Sequence, residues 1–320
     1  MAASGATGSG FRARAGTLTL LFIVSTQSYE DLLAMLERAL SGGLLRSPEG
    51  DLPDEEELDE EAGLEEYDDD QGADHQMPMS VSSKGEQLLY VAFVLKRWLG
   101  NCPSGPLQIG PEAGEVIAPL VCGWSATVTH ALGAEPLTMK ELERAVGILG
   151  GETLEEHIEA MAAAGLLEVQ PGSGEARYTV TRWGREGLAP IAAAARLESH
   201  YPAEDIAPPD ILDVEAAFQL ILPLLRLPAD LYGSCRFGVR IPGDPLLLAG
   251  ATVEVDRGAV VSSSPLLGQE AETYATGSPA DWLDTLIDPS ADRVEAGGDV
   301  RLVRAVLQSM HEALFAIPVR

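Results

Sequence analysis

Residues 136–188 hold two threonine-capped helices, a glycine-rich break between them and an alternating ribbon behind them, and few small folds accommodate that order. In Pro136-Leu137-Thr138-Met139-Lys140-Glu141-Leu142 the Thr138 hydroxyl can cap a helix start, and Glu141, three residues on, can return the bond. A break at 147–151 leads to Thr153-Leu154-Glu155-Glu156-His157-Ile158-Glu159-Ala160-Met161, a second Thr-x-x-Glu start with Leu154, Ile158 and Met161 on one face. Residues 165–170 then read as a strand, Pro171-Gly172-Ser173-Gly174 as a turn and 177–181 as the returning strand.

That order is the layout of a winged helix-turn-helix. Its Ala-Ala-Gly-Leu-Leu-Glu (163–168) and Tyr-x-Val-Thr-x-x-Gly (178–184) segments resemble those of HxlR-type winged-helix transcription regulators. The resemblance implies that the second helix is the recognition helix, that DNA is the partner, and that two copies read two half-sites as a homodimer. Candidate DNA contacts are Lys140 and Arg144 on the first helix, Thr153 and His157 on the second, and Arg177, Arg182 and Arg185 on and after the wing. Exposed solubilising charge is the plainer reading of the same basic residues.

One feature opposes the implication. With Leu154, Ile158 and Met161 turned inward, Glu155, Glu156 and Glu159 occupy the side that would face a major groove, and no Lys or Arg lies between Glu152 and Gly165. A single glutamate can accept from cytosine N4, but three add repulsion where phosphate neutralisation normally supplies affinity. Weak DNA binding, or a degenerate regulator acting through protein contacts or as an apolar-ligand carrier, are the two outcomes left open.

The acidity extends along the chain. Of the net charge of −29, a large part comes from residues 51–74, where fourteen Asp or Glu occur with no Lys or Arg. A run of that kind cannot bury itself, so residues 50–75 are expected to be a disordered insertion, either solubilising or a mimic of nucleic-acid charge. It interrupts an apparent repeat. Residues 28–36 follow the pattern of 153–161, Gly43-Leu44-Leu45 parallels Gly165-Leu166-Leu167, and Ser80-Val81-Ser82-Ser83-Lys84-Gly85 echoes Thr179-Val180-Thr181-Arg182-Trp183-Gly184. Residues 11–49 with 76–100 thus read as an eroded second winged-helix copy, against chance similarity of a generic helix and strand. The spacing predicts an amphipathic helix over 86–99, with Leu89, Phe93 and Lys96-Arg97-Trp98 along it; interleaved aromatic and basic residues could suggest nucleic acid, and a core-facing helix with a snorkelling charged end is the commoner explanation. Residues 111–133 predict a helical pair broken near Gly123-Trp124, opening a complete winged domain over 111–200, with Trp124 in its core.

After a linker over 201–209 the composition changes. Val214 to Leu227 reads as helical. Segments 234–240, 246–250, 251–255, 259–262 and 273–276 read as strands, with Asp256-Arg257-Gly258 as a hairpin turn, and helices begin at Pro279 and Arg301. Val253-Glu254-Val255-Asp256-Arg257-Gly258, then Tyr274-Ala275-Thr276-Gly277-Ser278-Pro279-Ala280-Asp281-Trp282, then Gly297-Gly298-Asp299-Val300-Arg301 resemble sterol-carrier-protein-like domains over about 210–317. That resemblance implies an apolar cavity between sheet and helices, with Leu302, Val303, Val306, Leu307 and Met310 as candidate pocket residues. A filled core is the alternative. The expected class is α+β: one complete and one eroded winged helix, then a sterol-carrier-like domain.

Catalysis finds no support. No nucleophile elbow, phosphate loop or His-Glu-x-x-His is present, and the glycine-rich residues 1–10 have no preceding strand, reading as a flexible tail. The five histidines are scattered, and Cys102, Cys122 and Cys235 lack metal or redox spacing, so neither catalytic residues, metal nor cofactor are expected. No apolar run reaches the roughly 18 residues of a membrane helix, and a cytoplasmic protein is expected.

Overall fold

The computed structural model describes residues 45–46, 80–81, 83–121, 128, 131–133, 135–146, 151–172, 174–201, 211–241, 244–264 and 272–316. The expectations for the tail, most of the first copy, the acidic run, Trp124, Cys122 and most of the linker lie outside the described residues. What is described is α+β, with helices against three sheets.

β1 (Leu45–Arg46) pairs antiparallel with β2 (Ser80–Val81), and α1 (Ser83–Gly100) follows. The buried positions on α1, Val91, Val94, Leu95, Trp98 and Leu99, recur at 3- and 4-residue spacing and make its core stripe. The helix faces the core as expected, but of the apolar residues along it Leu89 and Phe93 are 43% and 60% exposed. At 100° per residue they fall on the side opposite Val91 and Leu95, and the tryptophan, not the phenylalanine, sets which face is buried.

α2 (Pro111–Val121) buries Ala113, Ile117 and Leu120. β3 (Leu137–Thr138), α3 (Met139–Val146), α4 (Gly151–Ala163), β4 (Leu167–Gln170) and β5 (Arg177–Val180) follow, the strands ordered β3-β5-β4. The expected capping box at Thr138 is present: its hydroxyl accepts from the Glu141 N–H at 3.3 Å, and Glu141 accepts from the Thr138 N–H at 2.8 Å. The second helix departs from expectation, because α4 begins at Gly151, two residues before Thr153. α4 ends at Ala163, and Gly165, two residues on, has a φ of +77° that favours glycine. Gly165 N–H donates to the Ala162 carbonyl and Leu166 N–H to that of Met161, a Schellman closure that turns the chain into β4. β3 was not anticipated, since two residues carry no periodicity of their own; Leu137 pairs with Tyr178.

α5 (Arg182–Glu186) is capped by Thr181, and α6 (Leu188–His200) continues it past Gly187. α1 and α6 pack together, and Trp98 stacks at 4.5 Å and 6° on Trp183, in α5 just before the start of α6. Each indole N–H donates to the other residue's backbone carbonyl, at 3.0 and 3.1 Å.

The rest of the chain comprises α7 (Ile211–Ile221), β6 (Gly233–Ile241), β7 (Asp244–Asp256), β8 (Ala259–Ser264), β9 (Tyr274–Gly277), α8 (Pro279–Ile287), β10 (Glu295–Gly297) and α9 (Val300–Phe315). The sheet order is β10-β9-β6-β7-β8, with β6 and β9 parallel and the other pairs antiparallel. The segments 246–250 and 251–255 form one strand, not two. Gly250 lies within it at φ +138°, where a Cβ would come within 2.0 Å of the Phe237 carbonyl oxygen. The glycine there marks a close approach to β6, not a turn. The expected hairpin turn is present, with positive φ at Arg257 and Gly258. Phe218, Phe237 and Trp282 pack edge-on or tilted at the centre, and the Trp282 N–H donates to the Gly238 carbonyl at 2.9 Å.

Candidate nucleic-acid interface

The sequence places its candidate contacts on α3, α4, β5 and α5, and these elements do not treat them alike. On α4 the inward stripe of Leu154, Ile158 and Met161 is 0–1% exposed, which leaves Glu155, Glu156, Glu159 and Ala160 outward. The outward face is acidic, as the periodicity implies. His157 does not share it. Its side chain is 9% exposed and belongs to the buried side, so it is not placed to meet a base edge. At 100° per residue it follows Leu154 by 300° and lies one step from Ile158, on the inner half of the helix. The side chain of Thr153 lies outside the described residues.

Lys140 and Arg144, one turn apart on α3, are exposed. On β5, Arg177 donates to the Pro136 carbonyl at 2.8 Å and lies 3.9 Å from Glu141, tying the ribbon to the start of α3 while staying exposed. The Thr138 hydrogen bonds hold the Glu141 carboxyl below its usual range, with Arg177 adding to the effect. Arg182 bonds Glu186 one turn on at 2.8 Å and is 73% exposed.

Arg185 is turned the other way. Its guanidinium donates to the carbonyls of Gly133, Gln219 and Leu220, the Gln219 bond at 3.0 Å, and burial pulls its pKa down. It joins α5 to the end of α7, and its donors are spent within the fold. Beside this contact α6 meets α8 through Asp284, which accepts from Arg196 at 2.7 Å with His200 at 3.4 Å. The basic positions left facing outward are Lys140, Arg144, Arg177 and Arg182.

No family model, curated protein or solved structure matches this chain.

Among the described residues no group of His, Cys, Asp and Glu could hold a metal ion, and no helix is long and apolar enough to cross a membrane. Cys102 and Cys235 are buried free thiols, and burial, helped by Asp299, pushes the Cys235 pKa up to about 12.

The five candidate pocket residues on α9 are in the core. Leu302, Val303, Val306, Leu307 and Met310 are 0–6% exposed, filling the space between helix and sheet. Two clefts lined by described residues do not touch them. One is a small groove among Tyr90, Phe93, Arg97 and Phe315. The other, with a volume of about 320 Å³, opens between residues 223–227 and the β7–β8 turn and carries Arg226 and Arg257. The sequence reading missed the second cleft, because its walls come from segments over 30 residues apart. The usable signal was the pair of prolines, Pro223 within the 3-10 turn Leu222–Leu224 and Pro228 after it, opposite the Asp256-Arg257-Gly258 turn.

The buried His157 has a measurable consequence. Burial lowers its pKa below the ordinary 6.5. The unfolded chain takes up this proton as pH falls below about 6.5, while the folded chain resists it until lower pH. Stability from this source is therefore complete above the unfolded value and declines through the window beneath it, at up to about 1.4 kcal/mol per pH unit. Thermal midpoints measured from about pH 7.5 to 5.5 should fall less in His157→Gln than in the unsubstituted chain. Parallel profiles would show that His157 does not contribute.

Proposed function

We propose that this chain is a transcription-regulator-like protein in which residues 111–200 form a winged helix-turn-helix that binds DNA weakly, through phosphates more than through bases. The observation that carries the reading is the order of capped α3, α4 and the β4–β5 ribbon, with exposed Lys140, Arg144, Arg177 and Arg182 on the elements flanking α4. Phosphate contacts of this kind fix orientation and affinity without reading sequence. The glutamates of α4 restrict base recognition and weaken non-specific attraction.

Residues 210–317 act in this reading as a sterol-carrier-like packing module. The buried α9 stripe supports packing over an apolar cavity at those residues, and the Arg185 and Asp284 contacts support a rigid attachment to the DNA-binding unit. A second reading, a regulator relic that acts through protein contacts or as an apolar-ligand carrier, is favoured by one observation: Glu155, Glu156 and Glu159 are all outward with no base among them.

Alanine substitutions separate the two. If the proposal holds, Lys140→Ala with Arg144→Ala weakens binding to duplexes of unrelated sequence about equally, by roughly 10-fold or more at low salt. Arg185→Ala should instead lower stability, because it leaves buried carbonyls without donors. A double variant that binds every duplex as the unsubstituted chain does would remove the proposal.

A further inference from the structure

β1 and β2 are short, but their register is informative. Leu45 pairs with Val81 and Arg46 with Ser80; in the second ribbon Leu167 pairs with Val180 and Glu168 with Thr179. The sequence repeat equates Leu45 with Leu167, and Ser80-Val81 with Thr179-Val180. The pairs are therefore equivalent pair for pair, although Ser80 follows Arg46 by 34 positions and Thr179 follows Glu168 by only 11. A chance likeness of two strands would not reproduce the register across connections of such different length.

The helices behind the ribbons repeat the agreement. α1 begins two residues after Val81, and α5 two residues after Val180. Gly85 and Gly184 then occupy equivalent positions, 99 residues apart, and both are buried. A Cβ on Gly184 would meet the Leu166 carbonyl oxygen at 2.4 Å, so the second helix needs glycine where it passes its strand.

α1 packs antiparallel to α5–α6. Ser83 meets Tyr201 at one end, with Gln87 beside His200, and Trp98 meets Trp183 at the other. Carried forward by 99 positions, the contacting stretch 83–98 becomes 182–197, and the stretch it meets is 183–201. Each copy thus offers the same patch to the other, which is the property of an isologous two-fold interface. The side chains have since diverged. Trp183 stands where the first copy has Lys84, and Trp98 where the second has Leu197. Two second copies from separate chains would face Trp183 with Leu197 and lose the stacked, reciprocally bonded indoles.

We infer that the chain is its own dimer: the β1–β2 ribbon with α1 pairs, within one polypeptide, with its equivalent in the second copy through α1 and α5–α6. The homodimer expected from the resemblance is replaced by an internal pair. The inference rests on reading residues 136–188 as a winged unit, but its test needs no DNA. Light scattering of the full chain should give 33.8 kDa across the micromolar range. Gly85→Ala, a change that ordinarily stabilises a helix, should lower the melting temperature by about 3 °C or more, as Gly184→Ala does, while Gly100→Ala, with open space around it, should not. A concentration-dependent mass of twice that value, or a Gly85→Ala chain that melts at or above the unsubstituted one, overturns the inference. Loss of duplex binding with both results intact would instead overturn the proposed function alone.

Discussion

Replacing Trp183 with alanine is expected to cost about 3–5 kcal/mol of stability, the range for removing a large aromatic side chain from a packed core. Trp183 is 4% exposed and Trp98 1%, and their rings lie parallel. The substitution removes the stacked surface, takes from the Trp98 carbonyl one of its two donors, the Asn101 N–H remaining, and leaves the Trp98 indole beside a cavity. Since the pair joins the end of α1 to α5, the loss should appear as separation of α1 from α5 and α6 before the C-terminal sheet melts. Denaturant unfolding followed by tryptophan fluorescence reads it. Phe93→Ala on the same helix is the comparison: at 60% exposure its change should remain within about 0.5 kcal/mol. Equal losses from the two substitutions would show that the indole pair does not anchor α1.

The second large effect concerns affinity. Converting Glu155, Glu156 and Glu159 together to glutamine should tighten duplex binding on the order of 100-fold at low salt, if each carboxylate near a phosphate costs about 1 kcal/mol. All three are exposed, so the change should leave folding nearly untouched. The gain should shrink as salt is raised, because screening acts on the repulsion as it does on attraction. Unchanged affinity would mean that α4 does not approach the duplex, and the relic reading would then stand.

Local chemistry made much of this architecture legible. The Thr138 capping box, the β4–β5 ribbon and the Asp256-Arg257-Gly258 turn each depend on residues within a few positions of one another, so the sequence carries them openly, whereas Gly165, read as strand, closes α4 instead. β3 and β10 escaped because strands of two and three residues have too little periodicity to register, and their partners are supplied by the fold. The long β7 was split in the sequence reading because Gly250 resembles a breaker until the neighbouring Phe237 carbonyl is in place.

The candidate site divides on the same line. Helical periodicity alone put Glu155, Glu156 and Glu159 outward. It could also have warned that His157 follows Leu154 closely enough to share its inner half. Nothing local marks Arg185 as internal, because the carbonyls it holds belong to Gly133 and to the end of α7. The α9 stripe had the right spacing for a helix facing a sheet, and whether such a face lines a cavity or fills a core depends on what packs against it. Here all five residues are buried.

The most direct test of the account is a fluorescence-anisotropy titration of the full chain against labelled duplex at several salt concentrations. With Lys140, Arg144, Arg177 and Arg182 as the phosphate contacts, the slope of log affinity against log salt should be about −3.6, four contacts at about −0.9 each. Saturable binding with that slope supports a phosphate-dominated winged helix, and no binding at low salt, or binding indifferent to salt, contradicts it.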